Sequence, residues 1–294
     1  MPDFTFLADF MGSLLPFECL QPRFMRQALL GLLLLAPVTA VTGVHVINLH
    51  MAFFADAVSH SIFAGVSLGM MLALDPQWST VGLAILVSVG VTACQRRVSL
   101  SADSVIGVFF AGVTAFGLAA ASRERAVARN AQSFLWGDIL TLGQGEIALL
   151  LLALVAVFIF QFMGYNRLLY LGLDPVVAEA HGVKIRAYQY AFAVLLALTS
   201  VLAVWTVGVF LVSALLILPA AAARNLSRSA GGMFWWALAI GCSASVVGLI
   251  VSAQKWAGTA TGPTVVLSAA LFFILSIPLS GLRNTATGAH LEKA

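Results

Sequence analysis

Asp56 and His60 are the residues of this chain best spaced for metal chemistry. They stand four apart in Ala52-Phe53-Phe54-Ala55-Asp56-Ala57-Val58-Ser59-His60-Ser61, one turn apart on the same face of a helix. A carboxylate oxygen and an imidazole nitrogen so placed can share one divalent ion, and the mixed N/O pair suits Zn²⁺, Mn²⁺ or Fe²⁺. Two ligands leave a shell open, which a site that must release its ion requires. A second copy of the chain, or water, would complete it. A carboxylate at the centre of a bilayer costs about 2.5–3.5 kcal/mol on insertion scales, so intramembrane ionisable groups mark pathways by default. The competing reading is an Asp–His hydrogen bond that locks two helices. One residue further round, Ala57, Ser61, Gly65 and Gly69 recur every four positions. This ridge of small residues lets another helix approach closely, so the Asp56–His60 row should face protein or a cavity rather than lipid.

The other candidates are weaker. Ser59 or Ser61 with His60 would make a hydrolase dyad, but adjacent residues of a helix point about 100° apart, which is poor geometry for it. His45 and His50 fall near the end of the first apolar run and read as structural or solvated interfacial residues. Asp138, in Phe134-Leu135-Trp136-Gly137-Asp138, either caps a short helix or lines an entry funnel. Glu146 reads as a first-turn acid favourable to its helix dipole. Cys19, Cys94 and Cys242 are far apart, so neither a redox pair nor a zinc knuckle is supported. No GxxxxGK[ST] is present: Lys184 follows Gly182, but without a Ser or Thr after it. Any ATP chemistry therefore belongs to another polypeptide.

A second segment carries a different kind of signal. Residues 174–182 read as a complete short helix, with Asp174 at the N-cap, Pro175 at the first helical position and Gly182 just past the end. The segment (Asp174, Pro175, Val176, Val177, Ala178, Glu179, Ala180, His181, Gly182) is too short to span a membrane and too apolar to float free. It either docks into a partner's groove or lies flat on the membrane.

The elements that must position these residues follow from composition. Of 294 residues, 61% are hydrophobic and only 9% charged, with a mean hydropathy of +1.01. A soluble domain carries about 25% charged residues, so soluble, disordered and disulfide-stapled classes are excluded. The predicted fold class is all-α, a polytopic membrane protein. The net charge of +3 is too thinly spread for a nucleic-acid surface. Stretches free of Asp, Glu, Lys and Arg run over 27–55, 57–74, 76–95, 104–122, 147–166, 187–223, 229–254 and 256–282. Each is long enough for a spanning helix of about 20 residues or close to it. That gives eight spans, or nine if 187–223, too long for one straight helix, breaks near Trp205–Gly208 into two crossings. The alternative is a short re-entrant helix around 208–220, and Pro219 is expected to add a second irregularity. Residues 1–26 mix apolar with acidic residues and read as an interfacial segment rather than a signal peptide. Residues 27–282 form the transmembrane domain and 283–294 a tail. Charge counting leaves orientation open, because Arg123, Arg125 and Arg129 lie in the loop opposite to Arg96, Arg97, Arg167, Lys184 and Arg186.

Taken together, these features resemble the permease subunits of the zinc/manganese/iron-uptake family of bacterial ABC importers. The resemblance rests on residues 53–65 (FFADAVSHSIFAG), 134–140 (FLWGDIL), 174–183 (DPVVAEAHGV), 207–223 (VGVFLVSALLILPAAAA) and 261–267 (TGPTVVL). It implies a homodimer in the bacterial inner membrane with a metal path along its axis. Two ATPase subunits would dock from the cytoplasm, and a metal-binding periplasmic protein or lipoprotein would deliver Zn²⁺ or Mn²⁺ from outside. No cofactor bound to this chain is implied. The family's metal-pathway Asp and His correspond to Asp56 and His60, and its coupling helix corresponds to residues 174–182. The same resemblance sets 94–103 and 164–186 inside and 122–146 outside. Where family members carry one or two Arg before the metal motif, this chain has Ile47-Asn48-Leu49-His50-Met51, which makes His50 the candidate substitute. A gradient-driven carrier using Asp56, and an importer of an organic metal chelate, are the rival functions.

Overall fold

The computed structural model describes residues 18–122 and 139–291. The readings placed on residues 1–17, on Arg123, Arg125 and Arg129 and on Asp138 lie outside them. The described residues form helices: α1 (Arg23–Asn48), α2 (Ala52–Met71), α3 (Pro76–Gln95), α4 (Ala102–Ala121), α5 (Gln144–Leu173), the short α6 (Pro175–Ala180), α7 (Ile185–Val207), α8 (Val209–Leu226), α9 (Ala230–Ser252) and α10 (Thr261–Leu291). All but α6 are long and apolar enough to cross a membrane, nine candidate spans among the described residues. The all-α polytopic expectation is borne out, at the upper of the two span counts.

Local chemistry sets the short connections. Asp75 caps α3 by accepting from the Gln77 amide at 2.8 Å, with Pro76 at the first helical position. The Ser101 hydroxyl accepts from the Ser104 amide at 3.2 Å to open α4, and the Ser229 hydroxyl from the Gly232 amide at 3.1 Å to open α9. Each supplies a partner for an amide that has none inside its helix.

The long apolar stretch breaks at one residue. Gly208 separates α7 from α8 with φ 87° and ψ 160°, a backbone region that essentially only glycine occupies. The second irregularity expected at Pro219 is absent: α8 runs through that proline, which is buried. At 18 residues and about 1.5 Å per residue, α8 is about 27 Å long, enough to cross rather than re-enter.

α1 is the most deeply buried span, packed against α5, α8 and α9, while α2 packs against α3 and α4. α4 leaves most of its surface outside the packed body. Successive spans alternate in direction, so the turns at 49–51, 96–101 and 227–229 share one end with α6. Contacts tie that end together. Gly172 of α5 abuts Asn48 of α1, and the Arg96 guanidinium donates to Gln189 Oε1 of α7 at 2.8 Å. Tyr165 donates its hydroxyl to the Ala230 carbonyl at 2.8 Å. Arg96, Arg97, Arg167, Lys184, Arg186, Arg224 and Arg228 all gather at this end.

Candidate functional site

Asp56 and His60 are both on α2 and both half-buried. Asp56 lies in the second turn, four residues from the start of the helix at Ala52. That is about 6 Å along the axis, so it is not at mid-span as a carboxylate flanked by two apolar runs suggests. The charge-free stretch 27–55 in fact holds nearly all of α1, a turn and the start of α2. The turn passes through His50, whose φ of 55° is an uncommon left-handed value that His adopts more readily than most residues.

The His60 ring is oriented by its own helix. Nδ1 lies 2.9 Å from the Asp56 carbonyl oxygen. A carbonyl only accepts, so Nδ1 carries the proton in this contact and Nε2 keeps the lone pair that a metal ion needs. Backbone orientation of one ring nitrogen is a usual support for a ligating histidine. Phe110 of α4 meets the imidazole edge to face, ring centroids 4.9 Å apart, and fixes the ring from the other side. The Asp56 carboxylate stands on the same helix face one turn back. The pair is thus presented as a carboxylate and an imidazole with one open nitrogen, not locked to each other. Among the described residues no group of three His, Cys, Asp or Glu side chains converges. Among the described residues, Asp56 and His60 are thus joined by no third ligand of the types that usually bind transition metals.

The small-residue ridge packs as its spacing implies. Ala57, Ser61, Gly65 and Gly69 are buried, and a Cβ at Gly65 would sit 2.6 Å from Thr80 Cα of α3. The Ser79 hydroxyl donates to the Gly65 carbonyl at 2.7 Å across this contact. The close approach of α3 on one flank turns the Asp56–His60 row toward α4 and the open side of the chain.

His50 lies elsewhere. It is exposed at the α1–α2 turn and lines a groove with Asn48, Gly172, Leu173, Arg224 and Arg228, where cationic neighbours disfavour a metal ion. His45 is fully buried, so the solvated reading fails and a structural one stands. Its Nε2 lies 3.0 Å from Gln161 Oε1 of α5, and the rings of Tyr165 and Phe192 meet it edge-on at 5.5 and 5.9 Å.

The short helix forms with the caps read from the sequence. Asp174 Oδ1 accepts from the Val176 amide at 2.7 Å, Pro175 opens the helix, and Gly182 closes the segment at φ 73°. Ala178 and Val183 are buried beneath it. Leu173, Val176 and Val177 are exposed, the first two strongly so at 81% and 74%. His181 stacks on Tyr170 at 5.0 Å. α6 is thereby a small apolar knob held at the basic end of the bundle.

The model of the ABC 3 transport family matches residues 21–280. The chain is 30% identical over 261 residues to the high-affinity zinc uptake system membrane protein ZnuB of Haemophilus influenzae, covering 89% of this chain and 97% of that protein. It is also 30% identical over 260 residues to the manganese import system permease protein ScaB of Streptococcus gordonii, covering 86% and 90%. Among solved structures, PsaBC from Streptococcus pneumoniae in complex with Fab superposes with a TM-score of 0.74 at 28% identity, covering 92% of this chain and 95% of the matched one.

Proposed function

The chain belongs to the ABC 3 transport family, and on that premise we propose that it is the membrane permease subunit of an ATP-driven importer of a divalent metal ion. Zn²⁺ is the favoured cargo, with Mn²⁺ and Fe²⁺ as the alternatives. The observation that carries this reading is the Asp56–His60 pair: a carboxylate and an imidazole on one face of α2, with no third ligand of the usual types converging on them among the described residues. Two copies facing each other across an axis supply two carboxylates and two imidazoles, which is a complete tetrahedral shell for zinc. Separation of the two chains would open that shell and release the ion. Two relatives named for zinc and for manganese support a naked divalent ion over an organic chelate.

The chain has no phosphate-binding loop of its own, so the energy enters from two ATPase subunits. The exposed Leu173, Val176 and Val177 around α6 are the apolar contact they would grip. Residues Asp174, Pro175, Val176, Val177, Ala178, Glu179, Ala180 and Gly182 thus form the coupling segment. The basic residues gathered at the α6 end support placing that end in the cytoplasm of a bacterial inner membrane. A metal-binding periplasmic protein or lipoprotein delivers at the opposite end.

The test is metal accumulation in zinc- and manganese-starved bacteria lacking their own importers. They would express the permease with the ATPase and delivery protein encoded beside it. Wild type should gain one metal selectively, and Asp56→Ala and His60→Ala should abolish the gain at unchanged membrane abundance. Normal uptake in both variants would remove the pair from the path. Uptake into vesicles without ATP or ATPase would replace the importer by a carrier.

A further inference from the structure

A groove between α5 and α7 at the basic end of the bundle sorts its lining by polarity. Its volume is about 880 Å³. Asn166, Arg167, Tyr170, His181 and Lys184 line one end, and Phe160, Met163, Gly164 and Ala191 the other. The sorting follows from the two helices. α5 ends at the α6 end of the bundle and α7 starts there. From Tyr170 back to Phe160 is therefore about 15 Å into the membrane, and from Lys184 to Ala191 about 10 Å.

The rim carries positive charge without a counter-charge, for no acidic side chain lines the groove. Arg167 is held there by Tyr188: the guanidinium donates to the hydroxyl, and its Cζ lies 5.3 Å from the ring centroid. α7 opens at the same rim with Lys184 as its N-cap, which supplies no side-chain acceptor, so the positive end of that helix adds to the two cations. Deeper in, Met163 and Ala191 are exposed and Phe160 half-buried.

The two ends together select the occupant. A cationic rim favours an anion, but a free anion or a water-soluble protein would meet the rim alone and leave the apolar track unfilled. A bare acyl chain would fill the track and leave the cations unanswered. A phospholipid with an anionic headgroup answers both, and basic pockets between spans are known seats for such headgroups. On the other flank of α5 a second groove shares Met163, Asn166 and Arg167, with Phe158, Phe162 and Phe234 beyond them. A second acyl chain thus has its own apolar track from the same headgroup position.

We propose that the α5–α7 groove binds one anionic phospholipid, with its phosphate on Arg167 and Lys184 and an acyl chain along Phe160, Met163 and Ala191. His181 and Gly182 end the α6 segment and line the same groove, so the bound lipid braces that segment against α5 and α7. The site requires only that the α6 end lies at a membrane surface. It does not depend on Asp56, His60 or the cargo.

The experiment titrates the purified full importer in mild detergent with phosphatidylglycerol or phosphatidylcholine and counts bound lipid by native mass spectrometry. Phosphatidylglycerol should bind more tightly than phosphatidylcholine. Arg167→Gln and Lys184→Gln should each weaken it about fivefold, the scale of one basic residue at a membrane surface. Lys184→Gln carries the comparison alone if Arg167→Gln fails to insert, because Lys184 is exposed and outside the spans. Ala191→Phe fills the apolar track without touching a charge and should weaken binding about tenfold, the scale of one lost apolar contact. Arg97→Gln removes an equal charge from the same end but outside the groove, and should bind as wild type does. Equal affinity for the two lipids, or an Arg97→Gln loss as large as that of Lys184→Gln, would overturn the inference. Displacement of the lipid by inorganic phosphate with Ala191→Phe unaffected would reduce the rim to a plain anion site. Loss of the ATPase subunits with lipid binding intact in Arg167→Gln and Lys184→Gln would give the rim to that partner instead.

Discussion

Replacing Gly65 by alanine is a direct test of how α2 is held. The added Cβ would lie 2.6 Å from Thr80 Cα and 3.2 Å from the Thr80 amide nitrogen. Carbon atoms in contact prefer about 3.5–4.0 Å, so the shortfall is about 1 Å. Both parties are backbone, so no rotamer change relieves it and α2 must move away from α3. Overpacking of this kind costs about 1–3 kcal/mol. Alanine recovers about 1 kcal/mol through its better helix propensity, which leaves a net loss of up to about 2 kcal/mol. Gly82 of α3 is the control, because nothing lies within 4 Å of a Cβ there and only the propensity gain applies. The propensity gain is common to both, so the two variants should differ by the overpacking cost, about 1–3 kcal/mol, read from unfolding of the purified chain by detergent titration. Separating the helices also moves the Asp56–His60 row, so Gly65→Ala should transport less at equal abundance while Gly82→Ala transports normally. Equal stability of the two variants would refute the close-packed ridge.

Two further predictions follow from polar contacts. Asp174→Ala removes the side chain that caps α6 and should weaken the segment by about 1 kcal/mol. Binding of the ATPase subunits should fall and Asp174→Asn should retain it, with metal binding unchanged in both, as measured by pull-down and by direct metal titration. His45→Leu alone strands the Gln161 amide in a dry interior and should cost about 1–3 kcal/mol in thermal unfolding. Adding Gln161→Leu should restore most of that loss, because neither polar partner then remains unpaired.

Much of the architecture was legible because loops between spans carry charge. Asp75, the pair Arg96–Arg97 and the run Asp174–Arg186 each mark a real boundary. The rule misplaced the first boundary because its two inputs were misleading there. The turn at 49–51 has no Asp, Glu, Lys or Arg, and Asp56, the charge nearest to it, lies inside α2. A charged residue inside a span was read as the edge of that span. The Asp56–His60 pair itself was visible, since four-residue spacing is a local property of a helix. The His45–Gln161 contact was not, because its partners are 116 residues apart and their meeting depends on how α1 packs on α5. The α6 caps were legible in full, being set within nine residues.

Gly208 also does the chain's counting. A single residue in a conformation reserved for glycine turns one overlong apolar stretch into a descent and a return. That return brings Arg224 and Arg228 back to the end that already holds Arg167 and Lys184. Without it, every residue after Val207 would change sides, and α9 and α10 would run the opposite way past α1. The parity of the whole bundle, and with it the assignment of each later loop to one compartment or the other, hangs on one missing side chain.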